Sequence, residues 1–206
     1  MGAFEDSIHS KYDERVGTLA KIKARSIGAD ALVLSAMNVL SYAQLEGGIK
    51  DLASYIIKEV NRRNLNLGDI SPALLQWRNS EELDRYRNLL NFELIGSSDP
   101  FRPHLSRKTV VRPINRRGEF NQMNWPSLMK LYTGFRLNST AIQGFESAVG
   151  DLVSARNTAA HHGLPPPLAA TMLELQLRGY VVAVEGILTD LSLQMLTFFS
   201  NRLHLR

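Results

Sequence analysis

The chain contains no cysteine. Disulfides, thiolate metal sites and cysteine nucleophiles are therefore excluded, and the absence fits a reducing cytosol. No uncharged apolar run reaches the ~18 residues of a membrane span. The richest stretch, residues 31–45, stops at Glu46. The first residues carry Glu5 and Asp6 and no apolar core, so they do not read as a signal peptide. No His, Asp or Glu cluster has metal-ligand spacing. There is no repeat, no low-complexity tract and no convincing strand alternation. The expectations are a cytoplasmic, membrane-free protein with no metal or cofactor and an all-α fold.

The chain has 206 residues, 44% hydrophobic and 21% charged, which fits one domain over 1–206. Lys and Arg number 24 against 20 Asp and Glu, a net charge of +4. That excess mildly favours an anionic partner such as RNA.

Ile8, Tyr12, Val16, Leu19 and Ile22 give residues 4–24 the period of an amphipathic helix. Asp30 is placed to cap the next helix. Over 31–60 apolar residues fall on nearly every face, as in a buried helix. Gly47 and Gly48 lie inside it. Each weakens a helix by ~1 kcal/mol against alanine, so close approach of a neighbour is the expected compensation. After a polar turn at 61–68, Ser71 and Pro72 open a helix predicted from Ala73 towards Phe92.

Pro103, Pro113, Gly118 and Pro126 then break the pattern. Thr109, Val110 and Val111 could form a short strand, and a short helix could follow Ser127. Between 102 and 117 the charges are Arg102, Arg107, Lys108, Arg112, Arg116 and Arg117, with no acid among them. Such an arm suits sequence-blind phosphate contacts, with Phe101, Phe120 and Trp125 available to stack on bases. The same arginines could instead pair with Glu81, Glu82 and Asp84. Asn138, Ser139 and Thr140 offer a cap for a helix running to Arg156, which the prolines at 165–167 stop. Residues 168–203 read as a long final helix, with Gly179 and Gly186 as places where it could bend. The architecture predicted is an all-α bundle of four to five main helices, with an irregular basic arm at 96–126.

The chemistry concentrates in six residues, Arg156-Asn157-Thr158-Ala159-Ala160-His161. RNA is cut when a base removes its 2′-hydroxyl proton and the oxygen attacks the adjacent phosphorus. An acid then protonates the departing 5′-oxygen. Imidazole suits both proton transfers, and a guanidinium holds two phosphoryl oxygens while keeping its charge. On a straight helix, positions five apart differ by about 140° in azimuth. Arg156 and His161 would then face apart, so His161 is expected at or past the helix end, with Gly163 near the C-cap. Asn157 and His161, four apart, share a face. His162 is equally available. One imidazole serving as both base and acid is strained, and two copies from a two-fold dimer would supply both. Helix-end capping is the plain structural reading of the same residues.

These residues resemble the HEPN superfamily, all-α bundles whose ribonuclease members carry R, a polar residue, a short spacer and H. "LVSARNTAAHHG", residues 152–163, fits that pattern. "YAQLEGGIKDLASYI", residues 42–56, looks like the buried early helix of one prokaryotic branch with an E-G-x-x-K signature, which falls on Glu46, Gly47 and Lys50. The matches cover the two ends of the bundle and leave the 96–126 arm without a counterpart.

The resemblance implies a metal-independent endoribonuclease acting as a homodimer, its composite active site built from two facing motifs. Arg156 would stabilise the phosphate, His161 would act as acid and base, and Asn157 would orient His161 or bind phosphate. Such proteins serve in toxin–antitoxin and phage-defence systems, so an antitoxin or inhibitor protein is an implied partner. Glu46 would either lie near Arg156 and hold it, or form a plain i,i+4 pair with Lys50. The rival readings are a non-catalytic HEPN module that binds RNA, nucleotide or protein, and an inert helical scaffold.

Overall fold

A computed structural model describes residues 2–79, 108–114, 123–162 and 170–201, with side chains from residue 5 onward except those of 67, 72, 161, 162 and 170. The helices are α1 (Gly2–Arg25), α2 (Ala31–Arg62), α3 (Pro72–Arg78), α4 (Trp125–Gly134), α5 (Glu146–His162) and α6 (Ala170–Ser200). Two 3₁₀ turns, Leu67–Asp69 and Thr140–Phe145, join them. The protein is all-α, as its pattern predicts, and no strand occurs among the described residues.

The two long helices α2 and α6 form the spine. α1 packs along both, α5 lies against α2 and α6, and α3 pairs with α4. Leu34, Leu45, Ile49 and Ile56 of α2 are fully buried, as are Leu177, Val184, Ile187 and Leu191 of α6. Each such side chain contributes roughly 1.5–3 kcal/mol of transfer free energy. The two glycines of α2 do what their cost implies. A Cβ on Gly48 would stand 2.6 Å from Leu188 Cδ2 of α6, and one on Gly47 would stand 2.9 Å from the Arg15 guanidinium of α1. Arg15 is fixed there by Gln44 Oε1 at 3.0 Å and Asp51 Oδ2 at 2.8 Å.

Asp30 caps α2 as expected, its Oδ1 accepting from the Val33 N–H at 2.9 Å. Several boundaries differ from the sequence pattern. α2 is not buried on every side, since Leu32 and Leu40 are 64% and 50% exposed. α3 ends at Arg78, and the rest of the helix predicted towards Phe92 lies outside the described residues. α4 begins at Trp125, inside the predicted arm. Asn124 caps it by accepting from the Ser127 N–H at 3.0 Å, and Pro126 sits in the first turn, where no N–H is needed. Trp125 packs against the core, which removes it as a freely exposed stacking residue. The run from Ile142 begins as a 3₁₀ turn and becomes α-helical only at Glu146. A Cβ on Gly186 would meet the Phe145 ring at 2.6 Å, so this glycine admits an aromatic neighbour within a continuous helix.

The short strand expected at Thr109, Val110 and Val111 does not form. A single antiparallel bridge joins Asn66 to Lys108. Side chains hold the rest of the segment. Asn61 Nδ2 donates to Val111 O at 2.9 Å and its Oδ1 accepts from Val111 N at 2.8 Å. Asn79 does the same for Val110 O and Arg112 N, at 3.1 Å each. The Arg78 guanidinium donates to the carbonyls of Arg112 at 2.9 Å and Pro113 at 2.7 Å.

By length and composition α6 could cross a membrane, although 50% of its most apolar window is buried within the bundle, as in a core helix.

Filling the α2–α6 seam should destabilise the protein. Gly48→Val is expected to cost ~1–3 kcal/mol through overpacking. Gly17→Ala, where nothing lies within 4 Å of the new methyl group, should stabilise α1 by ~0.5–1 kcal/mol. Thermal melts at ~2–4 °C per kcal/mol resolve both changes. Equal melting temperatures for the two variants would mean that the seam tolerates a branched side chain.

Candidate active site

The candidate site lies where one face of α2 meets α5. Tyr42, Glu46 and Lys50 stand one turn apart on α2, so their side chains share a stripe. The Tyr42 ring is buried, 4% exposed, and the guanidinium carbon of Arg156 sits 5.3 Å from its centroid. That is cation–π distance. Arg156 Nη1 also donates to Oδ1 of Asn157 at 2.9 Å. The ring and the amide together orient the guanidinium. Among the described residues Arg156 has no carboxylate partner.

The other side of the Tyr42 ring system is tied down as well. The Met123 N–H donates to the Tyr42 hydroxyl oxygen at 2.7 Å, and the Glu46 carboxylate lies beside that hydroxyl. Glu46 accepts from Lys50 Nζ at 2.5 Å, a half-buried i,i+4 pair. Burial, and next the negative charge of Glu46, push the Tyr42 phenol up to about 12. Arg156 pulls the other way, but less strongly. Tyr42 is therefore neutral at physiological pH and donates towards Glu46 while its ring faces Arg156.

Of the two alternatives for Glu46, the pair with Lys50 is present, and Tyr42 stands between this pair and Arg156. Tyr42 lies in the stretch that carries the E-G-x-x-K signature, and the resemblance assigns it no role. The signal is its spacing, because Tyr42, Glu46 and Lys50 form an i, i+4, i+8 series on one face of α2.

α5 runs through His162. His161 thus lies in the last turn, at the helix end, one of the two placements the spacing allows. By helical register it follows Asn157 by one turn and is about 140° around the axis from Arg156. The structure brings Arg156, Asn157, Tyr42, Glu46 and Lys50 together and places the backbone of His161 and His162 on the same helix. Gly163 lies outside the described residues.

Four of the six arm cations, Arg102, Arg107, Arg116 and Arg117, lie outside the described residues, with Phe101, Phe120, Glu81, Glu82 and Asp84. Lys108 donates to the Asn64 carbonyl at 2.6 Å, just past the C-terminus of α2, where a cation meets the negative end of the helix dipole. The Arg112 backbone is held by Asn79 and Arg78. No group of three His, Asp or Glu able to hold a metal ion occurs among the described residues.

No family model, curated protein or solved structure matches this chain.

Removing the Tyr42 hydroxyl tests the arrangement. Tyr42→Phe should cost ~1–3 kcal/mol at pH 7, because it strands the buried Met123 N–H. The raised phenol stabilises the fold fully below its unfolded value near 10, and that contribution is lost as pH rises towards 12. The gap between wild type and Tyr42→Phe should therefore narrow across that window in denaturant titrations. A gap that stays constant from neutral pH to pH 12 would contradict a buried, carboxylate-facing phenol.

Proposed function

We propose that this protein is a metal-independent endoribonuclease of the HEPN kind. The observation that carries the reading is Arg156, a half-buried guanidinium held by the Tyr42 ring and Asn157 and without a carboxylate among the described residues. A cation placed this way keeps donors for an incoming anion, and a phosphate fits its fork. Five positions on, in the same helix, stands the imidazole that the chemistry needs.

In the proposed reaction an imidazole base takes the 2′-hydroxyl proton. The 2′-oxygen forms a bond to phosphorus, and the bond from phosphorus to the 5′-oxygen breaks. An imidazolium protonates that leaving oxygen. The products carry a 2′,3′-cyclic phosphate and a 5′-hydroxyl, with no redox change. Arg156 stabilises the charge on the phosphorane oxygens. Asn157, one turn before His161, orients that imidazole or binds phosphate. Tyr42 and the Glu46–Lys50 pair act as positioning residues. A homodimer facing motif to motif would give two imidazoles to one site, one for each proton transfer. A role as a toxin or phage-defence effector, held by an inhibitor protein, belongs to the same proposal. So does RNA capture by the basic arm.

Wild type, His161→Ala and Arg156→Ala are incubated with total bacterial RNA in excess EDTA, and product ends are mapped. Wild type should leave cyclic phosphates, and each variant should lose at least ~100-fold in rate while melting as wild type does. Absence of cleavage by the folded wild-type protein, or equal cleavage by His161→Ala, would overturn the assignment.

A further inference from the structure

A second feature lies on the other side of α5. Ser147, Ala148, Asp151, Ser154, Ala155 and Thr158 recur at three- and four-residue spacing and form the floor of an open trough of about 630 Å³. By helical register Asp151 points about 140° away from Arg156. One wall is α2, through Ser35 and Asn38. The other is α6, through Gln176, Gly179 and Tyr180.

The walls carry unmet hydrogen-bonding capacity. Ser35 and Asn38 are each 6% exposed, yet Ser35 Oγ and Asn38 Oδ1 have no hydrogen-bond partner among the described residues. Buried polar atoms in folded proteins are normally paired. Asp151 is the charged group of the lining. It makes no ion pair among the described residues, and no Lys, Arg or His of those residues lines the trough. In a chain of net charge +4 this is a locally negative, acceptor-rich surface. On the outer flank of α6, beside Gln176 and Gly179, Leu175 and Val182 are 73% and 49% exposed.

These features select the occupant. Small-ligand pockets enclose their ligands, whereas this trough is open along its length. Its floor of small side chains, from Ser147 to Thr158, runs about three turns, roughly 16 Å, and lets another helix approach the backbone. Two copies of this face, antiparallel across a two-fold axis, would set Asp151 against Asp151, because it stands midway between Gly144 and Thr158. Like charges there repel.

We propose that the trough docks a helix of a different protein, one that offers a Lys or Arg to Asp151 and apolar residues to Leu175 and Val182. This is helix-in-groove recognition with a charged anchor. It does not depend on the ribonuclease reading. Its consequence for that reading is positional, since Thr158 lies one turn before His162.

The test uses the full-length chain, isotope-labelled, titrated with an alanine-based helical peptide spanning ~16 Å that carries two leucines and a central arginine. Its counterpart has glutamate in place of the arginine, and arginine amide serves as a third probe. The arginine peptide should give saturable amide shifts at Ser35, Asn38, Asp151 and Thr158. Affinity should fall at least ~10-fold for the glutamate peptide and for Asp151→Asn. Ser154→Trp, at an exposed position, should fill the trough and abolish the shifts with melting unchanged. No saturable shift, shifts elsewhere, or equal binding of the two peptides would overturn the proposal. Arginine amide binding as tightly as the peptide would also overturn it, by making the trough a small-cation pocket.

Discussion

The bundle depends on one close contact, the seat of Leu188 on the bare backbone of Gly48. Where one of two long helices lacks a side chain, the other can seat its own there and the pair can approach until their neighbours interlock. That contact fixes the rotation of α2 about its own axis. With Gly48 turned to α6, Tyr42, Glu46 and Lys50 fall on the far side of α2. Arg15, lying over Gly47 and anchored at Asp51 and Gln44, locks the same rotation from α1. The site is thus addressed to α5 by packing that contains no catalytic group.

Much of this was legible in the sequence, and the reason is periodicity. α1, α2 and α6 each carry apolar positions at helical spacing, and Asp30 announces its own cap. The glycine pair advertised a close neighbour but not which one, because Leu188 and Arg15 are distant in the chain. Boundaries were harder. Pro126 read as a breaker, whereas a proline in a first turn is an initiator, and only Asn124 distinguishes the two. The apolar run at Thr109 to Val111 read as a strand because β-branched residues favour extended backbone. The hydrogen-bond partners of Val110 and Val111 there are amide side chains, which no alternation pattern encodes. At the site, Arg156 and Asn157 stood out by chemical type. Tyr42 did not, because a tyrosine on an apolar helix looks like core, and here it is core on one side and electrostatics on the other.

That double role explains how a cation tolerates half-burial here. A guanidinium is more weakly hydrated than an ammonium, and the negative face of an aromatic ring replaces part of the lost water without neutralising the charge. A carboxylate in the ring's place would have quenched Arg156. Glu46 is kept one hydroxyl away and is satisfied by Lys50. The order guanidinium, ring, hydroxyl, carboxylate, ammonium alternates charge with a neutral spacer, which leaves the outermost cation open to an anion.

The segment at 109–113 carries a consequence of another kind. A strand in a ladder shares its hydrogen bonds with a neighbour of equal length, so a register slip is cooperative and global. Here two amides and one guanidinium, from Asn61, Asn79 and Arg78, grip successive peptide groups from the ends of α2 and α3. Such a clip has no register. The stretches flanking it are free to lengthen, shorten or change composition over evolutionary time without propagating a shift into the bundle, provided that three side chains persist. A change in length beside the clip therefore leaves the packing of the long helices as it is.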